Sequence, residues 1–349
     1  MPKSKDYSIS CARFVAMCFI ILCHIMQRDS FATEIKGAHI EWAFWFNVGV
    51  QMFLFISGFL YGDRDEIDTV GFYKKNFPKI LIDYYIFVIV MLAIIHWSPL
   101  MSIERKKVWK LLTFSGTVPG LGHLWFVQTI VFLYLFTPIF FEIIKTIDKR
   151  GNIGFAVESA LLLLLIHEVT KTFFTLFTPA WINCFVVGMI YGKLGKRTNN
   201  RRALEIIVFM LCLLIIPIQF RFDYYPHEEF SDCFGGFYKQ LTQYGHMLLG
   251  IVLVILIRFL YCKIAKNKSC FLLDWSDKYS YDIYLVHHIF IQSAFACVEF
   301  INNRWIALPL AVLLTVIFAV ALRYVSIFVM SFCAVGKRFH NGNLMEELL

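Results

Sequence analysis

An all-α bundle of membrane-spanning helices is the fold class this sequence predicts, and three observations predict it. Apolar residues make up 59% of the 349 and charged residues 17%, against about 45–50% and about 25% in soluble domains. The mean hydropathy is +0.65. The apolar residues gather into about ten runs of the roughly 17–25 residues that a bilayer crossing needs. Phe alone contributes 37 residues, more side chain than a water-soluble surface hides. No long polar stretch flanks the runs, so a single integral membrane domain over 1–349 is expected. The net charge of +8 reads as a topology signal and not as nucleic-acid binding, because Lys and Arg in such a chain mark cytoplasmic loops.

The expected spans, in order, are 8–27, 43–62, 79–98, 123–144, 153–170, 179–195, 203–220, 241–262, 279–301 and 305–333. The first follows Lys3 and Lys5 but is longer than a secretory h-region, contains Arg13 and lacks a small-residue cleavage site, so it is read as uncleaved. The fifth is interrupted by Glu158, His167 and Glu168, and the sixth is short. Pro78, Pro99, Pro138, Pro179 and Pro217 fall at or near expected ends, where helices tolerate proline best. Trp42, Trp97, Trp125, Trp181, Trp275 and Trp305 also fall near boundaries, at the headgroup level that amphipathic rings prefer. No repeat, heptad array or low-complexity segment is evident. The 10 cysteines include Cys18, Cys212 and Cys297, form no CxxC pair and read as small buried hydrophobes.

Charge counting orients the bundle. The termini and even loops, counted with Lys79 and Lys193 at the span ends that adjoin them, hold 20 of the 33 Lys and Arg, the odd loops hold 10, and Arg13, Arg258 and Arg323 lie within spans. A two-to-one excess predicts both termini in the cytoplasm. The ERKK run (Glu104–Lys107) of the third loop runs against that assignment.

Ionisable groups inside spans cost free energy, so each is a functional hypothesis. The first span carries two, Arg13 and His24. Eleven residues are about 3.06 helical turns, so the two share a face roughly 16 Å apart. The alternative is that Arg13 snorkels to the near surface while His24 sits at the far interface. Orientation puts Arg13 near the cytoplasmic side and His24 near the outer side, where His123 and Trp125 begin the fourth span. A cationic inner mouth follows from Arg13, Lys74, Lys75, Lys79, Arg258 and Arg323. An anionic substrate entering there and reacting at an outer histidine would use both features, and coenzyme A thioesters fit. Their phosphates pair with Lys and Arg, the pantetheine arm is on the order of the ~16 Å helix rise, and imidazole suits a general base.

Other residues carry a packing reading beside the functional one. Ser57 and Gly58 allow close helix approach. His287 either lines a channel or bonds a neighbouring helix, and His288, about 100° away, is left out of the site. Asp83, Glu158 and Asp282 are expected to form ion pairs, with Arg13 or Arg323 as partners. The loop Arg221–Lys239 is aromatic and polar, as a sugar-stacking or an interfacial loop would be. No HExxH, paired-Cys or Asp-rich spacing points to a metal, and there is no GxSxG elbow. No bound cofactor is expected.

Arg13 and His24, as R-x10-H, resemble the signature of the acyltransferase-three family of integral membrane acyltransferases. FLFISGFLYG (Phe53–Gly62), FYKKNFPKIL (Phe72–Leu81), GHLWFVQTIVFLYLFTP (Gly122–Pro138) and YSYDIYLVHH (Tyr279–His288) follow in the family's order. The GHLWF segment is similar to that of enzymes modifying surface polysaccharides. The resemblance covers essentially the whole chain and implies acyl transfer, usually acetyl, from cytoplasmic acyl-CoA to a hydroxyl of a surface or lipid-linked glycan. It implies His24 as the catalytic histidine and Arg13 as a donor contact. The family often carries R-x-x-R where this chain reads Asn76-Phe77-Pro78-Lys79, with Lys74 and Lys75 beside it to supply charge.

The site expected from all of this has His24 and His123 as catalytic residues. Arg13, Lys75, Lys79 and Arg323 bind the acyl-CoA, Ser57 and His287 line the channel, and no metal takes part. Acyl-CoA, a glycan or lipid-linked sugar and membrane lipids are the expected partners, in the cytoplasmic membrane. A secondary transporter or flippase for an anionic solute or lipid-linked sugar is the competing reading, with the same Arg and His serving binding and proton coupling.

Overall fold

A computed structural model describes residues 5–29, 32–35, 38–100, 103–197 and 237–335, with six scattered positions between 206 and 219. Apart from one short hairpin, the described chain is helical. The order is α1 (Tyr7–Asp29), β1 (Ala32–Ile35), β2 (Ala38–Glu41), α2 (Trp42–Phe46), α3 (Gly49–Gly62), α4 (Thr69–Trp97), α5 (Arg105–Leu112) and a 3-10 turn (Gly122–Leu124). Then come α6 (Trp125–Asp148), α7 (Asn152–Phe173), α8 (Pro179–Arg197), α9 (Phe237–Ala265), α10 (Phe271–Ile291), α11 (Cys297–Phe300) and α12 (Arg304–Val335). β1 and β2 pair antiparallel, with Ala32 opposite Glu41.

Seven of these stretches are long and apolar enough to cross a membrane: Tyr7–Arg28, Trp42–Gly62, Thr69–Trp97, Gly122–Asp148, Asn152–Phe173, Gln240–Ala265 and Arg304–Phe332. The protein is a multi-pass membrane protein. Of the three further expected spans, the sixth corresponds to α8, whose last turn carries Lys193, Lys196 and Arg197. The ninth corresponds to α10, which Asp274, Asp277, Lys278 and Asp282 make too polar to qualify. The seventh, 203–220, lies almost wholly outside the described residues, as do Cys212 and most of the loop from Arg221.

Several helix ends differ from expectation. α4 begins ten residues before 79 and runs through Pro78. A proline there frees only the Lys74 carbonyl, beside the exposed Lys74 and Lys75, where the loss is tolerable. Pro138 and Pro309 also lie inside helices, whereas Pro179 opens α8 as its first residue, where its missing N–H costs nothing. The expected ninth span, 279–301, instead starts at Phe271 and stops at Ile291. Ser293 stops it: its Oγ donates to the Ile289 carbonyl at 2.6 Å and accepts from the Phe295 N–H at 3.0 Å, competing with the helical ladder. The second span is broken at Asn47 and Val48 into α2 and α3.

The chain forms two compact units, residues 1–69 with 132–277 and residues 70–131 with 278–349. In the first, α3 and α8 meet backbone to backbone through matched glycines. A Cβ on Gly58 would stand 1.9 Å from the Phe185 carbonyl oxygen, and one on Gly188 would stand 2.3 Å from that of Phe55. Gly62 and Gly192 repeat the contact one turn on. GFLYG on α3 and GMIYG on α8 thus form a small-xxx-small seam, the means by which membrane helices gain packing without a hydrophobic drive. In the second unit, the Tyr84 and Tyr85 hydroxyls of α4 donate to the carbonyls of Leu111 and Leu112 at 2.8 and 3.0 Å. The chain therefore leaves α4 at Trp97 and comes back to the level of Tyr84 by the end of α5.

Candidate functional site

α1 is one uninterrupted helix, so Arg13 and His24 do share a face. Met17 and Ile20 occupy the same stripe between them and are only 4% and 3% exposed. The stripe therefore faces protein, and its middle is packed closed. At the outer-facing end expected from the sequence, His24 Nδ1 lies 3.0 Å from the amide oxygen of Gln27. That oxygen can only accept, so Nδ1 carries the hydrogen and Nε2 is the basic nitrogen of the neutral ring.

The other end of α1 is a dense polar cluster. The Arg13 guanidinium contacts Asp277 at 3.3 Å, and the same carboxylate takes a hydrogen bond from Ser10 at 2.5 Å and an ion pair from Lys5 at 2.9 Å. Lys5 reaches Asp274 as well, at 2.6 Å. Arg258 donates to Asp6 at 3.0 Å and to Ser8 at 3.2 Å, and lies 4.6 Å from the Phe59 ring centroid. Arg64 lies over the Tyr61 ring at 5.1 Å, and the Tyr61 and Tyr134 hydroxyls hydrogen-bond each other. Buried Lys193 donates to the Arg64 carbonyl at 2.7 Å and sits 4.7 Å from the Phe141 ring. Five cations, Lys5, Arg13, Arg64, Lys193 and Arg258, thus converge in the first unit. The partner of Arg13 is Asp277, not one of the three carboxylates expected from the sequence.

Asp6, just ahead of α1, has a carboxyl held below the usual carboxylate range. Burial pushes it up, but the Ser8 hydrogen bond and the Arg258 charge outweigh that. A depressed folded-state pKa adds stability that is present above the unfolded value, about 3.9, and is lost as pH falls through the folded one. The Asp6→Asn variant is therefore expected to unfold more easily than wild type at pH 6 and to match it once pH falls below both values, as read by thermal unfolding in detergent. The carboxylate is part-exposed, so the difference should be at most about 1 kcal/mol.

The second unit gathers three imidazoles. His123, 2% exposed, has Nε2 2.9 Å from the Leu285 carbonyl. His288 stacks flat on it, with centroids 4.4 Å apart and planes 18° apart, and His287 meets it edge-on at 5.4 Å. His287 Nδ1 lies 2.6 Å from the Tyr284 carbonyl and His288 Nδ1 lies 3.0 Å from that of Gly120. Carbonyls only accept, so all three tautomers are set by backbone. His288, left out on helical-wheel grounds, belongs to the cluster: two residues 100° apart on α10 can both touch a ring inserted against the helix. His123 lies edge-on to Phe87 at 6.2 Å, ten residues and roughly 15 Å of helix rise before α4 ends at Trp97.

The remaining expected residues scatter. Arg323 is paired with buried Asp83 at 3.4 Å, and Glu158 with Arg150 at 3.1 Å. Asp282 is buried, with an Oδ1 that no hydrogen bond satisfies. Lys75 is exposed and Lys79 half-buried on the first turns of α4, and Ser57 is half-buried beside Gly58 on the seam. Among the described residues no group of three or more His, Cys, Asp or Glu is placed to hold a metal ion.

A family model described as an acyltransferase domain matches residues 6–324, which includes both ends of the α1 stripe, the basic cluster apart from Lys5, and the three imidazoles. The chain belongs to the acyltransferase-3 family. No curated protein and no solved structure matches it. The membrane acyltransferase keeps R-x10-H on one helix, as the resemblance implied. Sequence reading missed Asp277, the partner of Arg13, and set aside His288, which stacks on His123; Arg258, read from the sequence as an in-span cation, lies beside the start of α1.

Proposed function

We propose that this acyltransferase moves an acyl group, acetyl being the simplest, from a cytoplasmic acyl-CoA to a hydroxyl of a surface or lipid-linked glycan. The observation that carries the reading is the α1 stripe. In a member of an acyltransferase family, a guanidinium and a basic imidazole nitrogen stand on one face roughly 16 Å apart, at opposite ends of one unbroken helix. Arg13, supported by the cations around it, holds donor phosphates, and Ser57 of the same unit lines the donor path.

His24 Nε2 takes the proton of the acceptor hydroxyl, and the oxygen attacks the thioester carbonyl carbon. The carbon–sulfur bond breaks, and coenzyme A leaves as a thiolate that is then protonated. For the arm to lie along the stripe, the Met17 and Ile20 side chains must yield. Both termini and the basic cluster face the cytoplasm, with the ten-span chain in the cytoplasmic membrane.

The test is release of free thiol from acetyl-CoA by purified, reconstituted protein, with mass spectrometry of surface glycans from cells with and without the functional gene. Thiol release that depends on acceptor, and an acyl mass lost with the gene, are expected. Uptake of an anionic solute without thioester cleavage would replace this reading with a transporter.

A further inference from the structure

The second unit contains a half-open cavity of about 330 Å³ between α4, α10 and α12. Its wall is wholly apolar and includes Phe87 and Met91 of α4, Phe290 of α10, and Phe318, Ala321 and Val325 of α12. A hydrocarbon chain fits such a wall and a polar substrate does not, since each polar group would enter without a hydrogen-bond partner.

The same unit carries an element of opposite character. α5, RKKVWKLL, is strongly amphipathic. Arg105, Lys106 and Lys110 are exposed, Lys107 is paired with Glu104 at 2.8 Å, and Trp109 is 67% exposed while Leu111 is buried. An exposed basic face opposite a buried apolar residue suits a helix at a membrane interface, and an exposed Trp is at home at that level. The charges of α5 then answer to lipid phosphates, which explains why the ERKK run breaks the positive-inside count. Its C-terminal carbonyls are held by Tyr84 and Tyr85, directly before Ile86 and Phe87, where the cavity wall begins. Basic helix and apolar cavity thus adjoin along α4.

We infer that the second unit binds one anionic membrane phospholipid, an acyl chain in the α4–α10–α12 cavity and its phosphate on the basic face of α5. The juxtaposition commits to a lipid that is both long-chained and anionic. A zwitterionic lipid satisfies the cavity alone, and a soluble phosphate satisfies α5 alone. This inference does not depend on the acyl-transfer reading.

The test uses the full-length protein reconstituted in nanodiscs of equal phosphatidylglycerol and phosphatidylcholine with matched chains, then released into detergent for native mass spectrometry. Wild type is expected to retain one lipid per chain, enriched roughly five-fold in phosphatidylglycerol, the gain from about one basic residue near a headgroup. Ala321→Trp fills the cavity and should lose the lipid. Leu313→Trp, on the same helix and outside the cavity wall, should keep it, which separates cavity filling from general damage. The triple variant Arg105→Ala, Lys106→Ala, Lys110→Ala should keep a lipid but without headgroup preference. Retention of the two lipids in their bulk ratio by wild type, or undiminished retention by Ala321→Trp, overturns the inference.

Discussion

His24→Ala is expected to lower acyl transfer by about 10²–10⁴-fold, the range a positioned general base supplies, with little change in thermal stability. His24 sits near the end of α1 and is half-buried. Its hydrogen bond to Gln27 is local to one helical turn, so losing that bond breaks no link between helices. The effect should fall on kcat, because the imidazole acts on the reacting proton and not on donor phosphates. Gln27→Leu provides the finer comparison: it frees the tautomer while leaving the imidazole, and a smaller loss of kcat is expected. Arg13→Ala should behave differently, raising the KM for acyl-CoA. Among the described residues it leaves Asp277 with Ser10 and Lys5, so thermal unfolding should also move earlier. Thiol release against acyl-CoA concentration separates the two, and undiminished turnover in His24→Ala would remove His24 from the mechanism.

Gly58→Val is expected to destabilise the first unit by about 3 kcal/mol or more, at or above the upper end for overpacked sites. The added Cβ meets the Phe185 carbonyl oxygen at 1.9 Å and carbon at 2.8 Å. Both are backbone atoms of a helix, so no side chain can swing away and α3 and α8 must part. Separation would also open the matching contact of Gly188 with Phe55 and disturb Lys193, whose ammonium caps the Arg64 carbonyl between the two elements. Gly195→Ala is the control. It lies on the same α8 with nothing near its would-be Cβ, and alanine is the better helix former, so a neutral or slightly stabilising result is expected. Fluorescence-detected thermal unfolding in detergent measures both; equal transitions for Gly58→Val and wild type would show that the seam yields.

The places where sequence reading fell short have a common cause. In a membrane chain the lipid-facing and protein-facing sides of a helix are both apolar. On α7, Leu161, Leu164 and Leu165 are exposed while Leu162 and Ile166 are buried, and nothing in their chemistry separates them. Helix ends were off where a polar side chain intervened, as at Ser293, or where a helix outran its apolar core, as α4 does before Lys79. Third-loop charge was legible, but only the structure places it on a short helix, α5, with Trp109 exposed and Leu111 buried.

Membrane class, helical content, most helix positions and the shared face of Arg13 and His24 were determined by the sequence alone. Those depend on transfer free energies summed over short windows and on hydrogen bonds four residues apart, both of which are local. Tertiary structure alone decided the partners. Asp277 meets Arg13 across 264 residues, Leu285 meets His123 across 162, and the two glycine motifs meet across 130. Among many apolar helices of similar length, burial energy is nearly the same for every pairing. The choice falls to a few close backbone contacts and buried polar bonds, whose geometry no single stretch of chain contains.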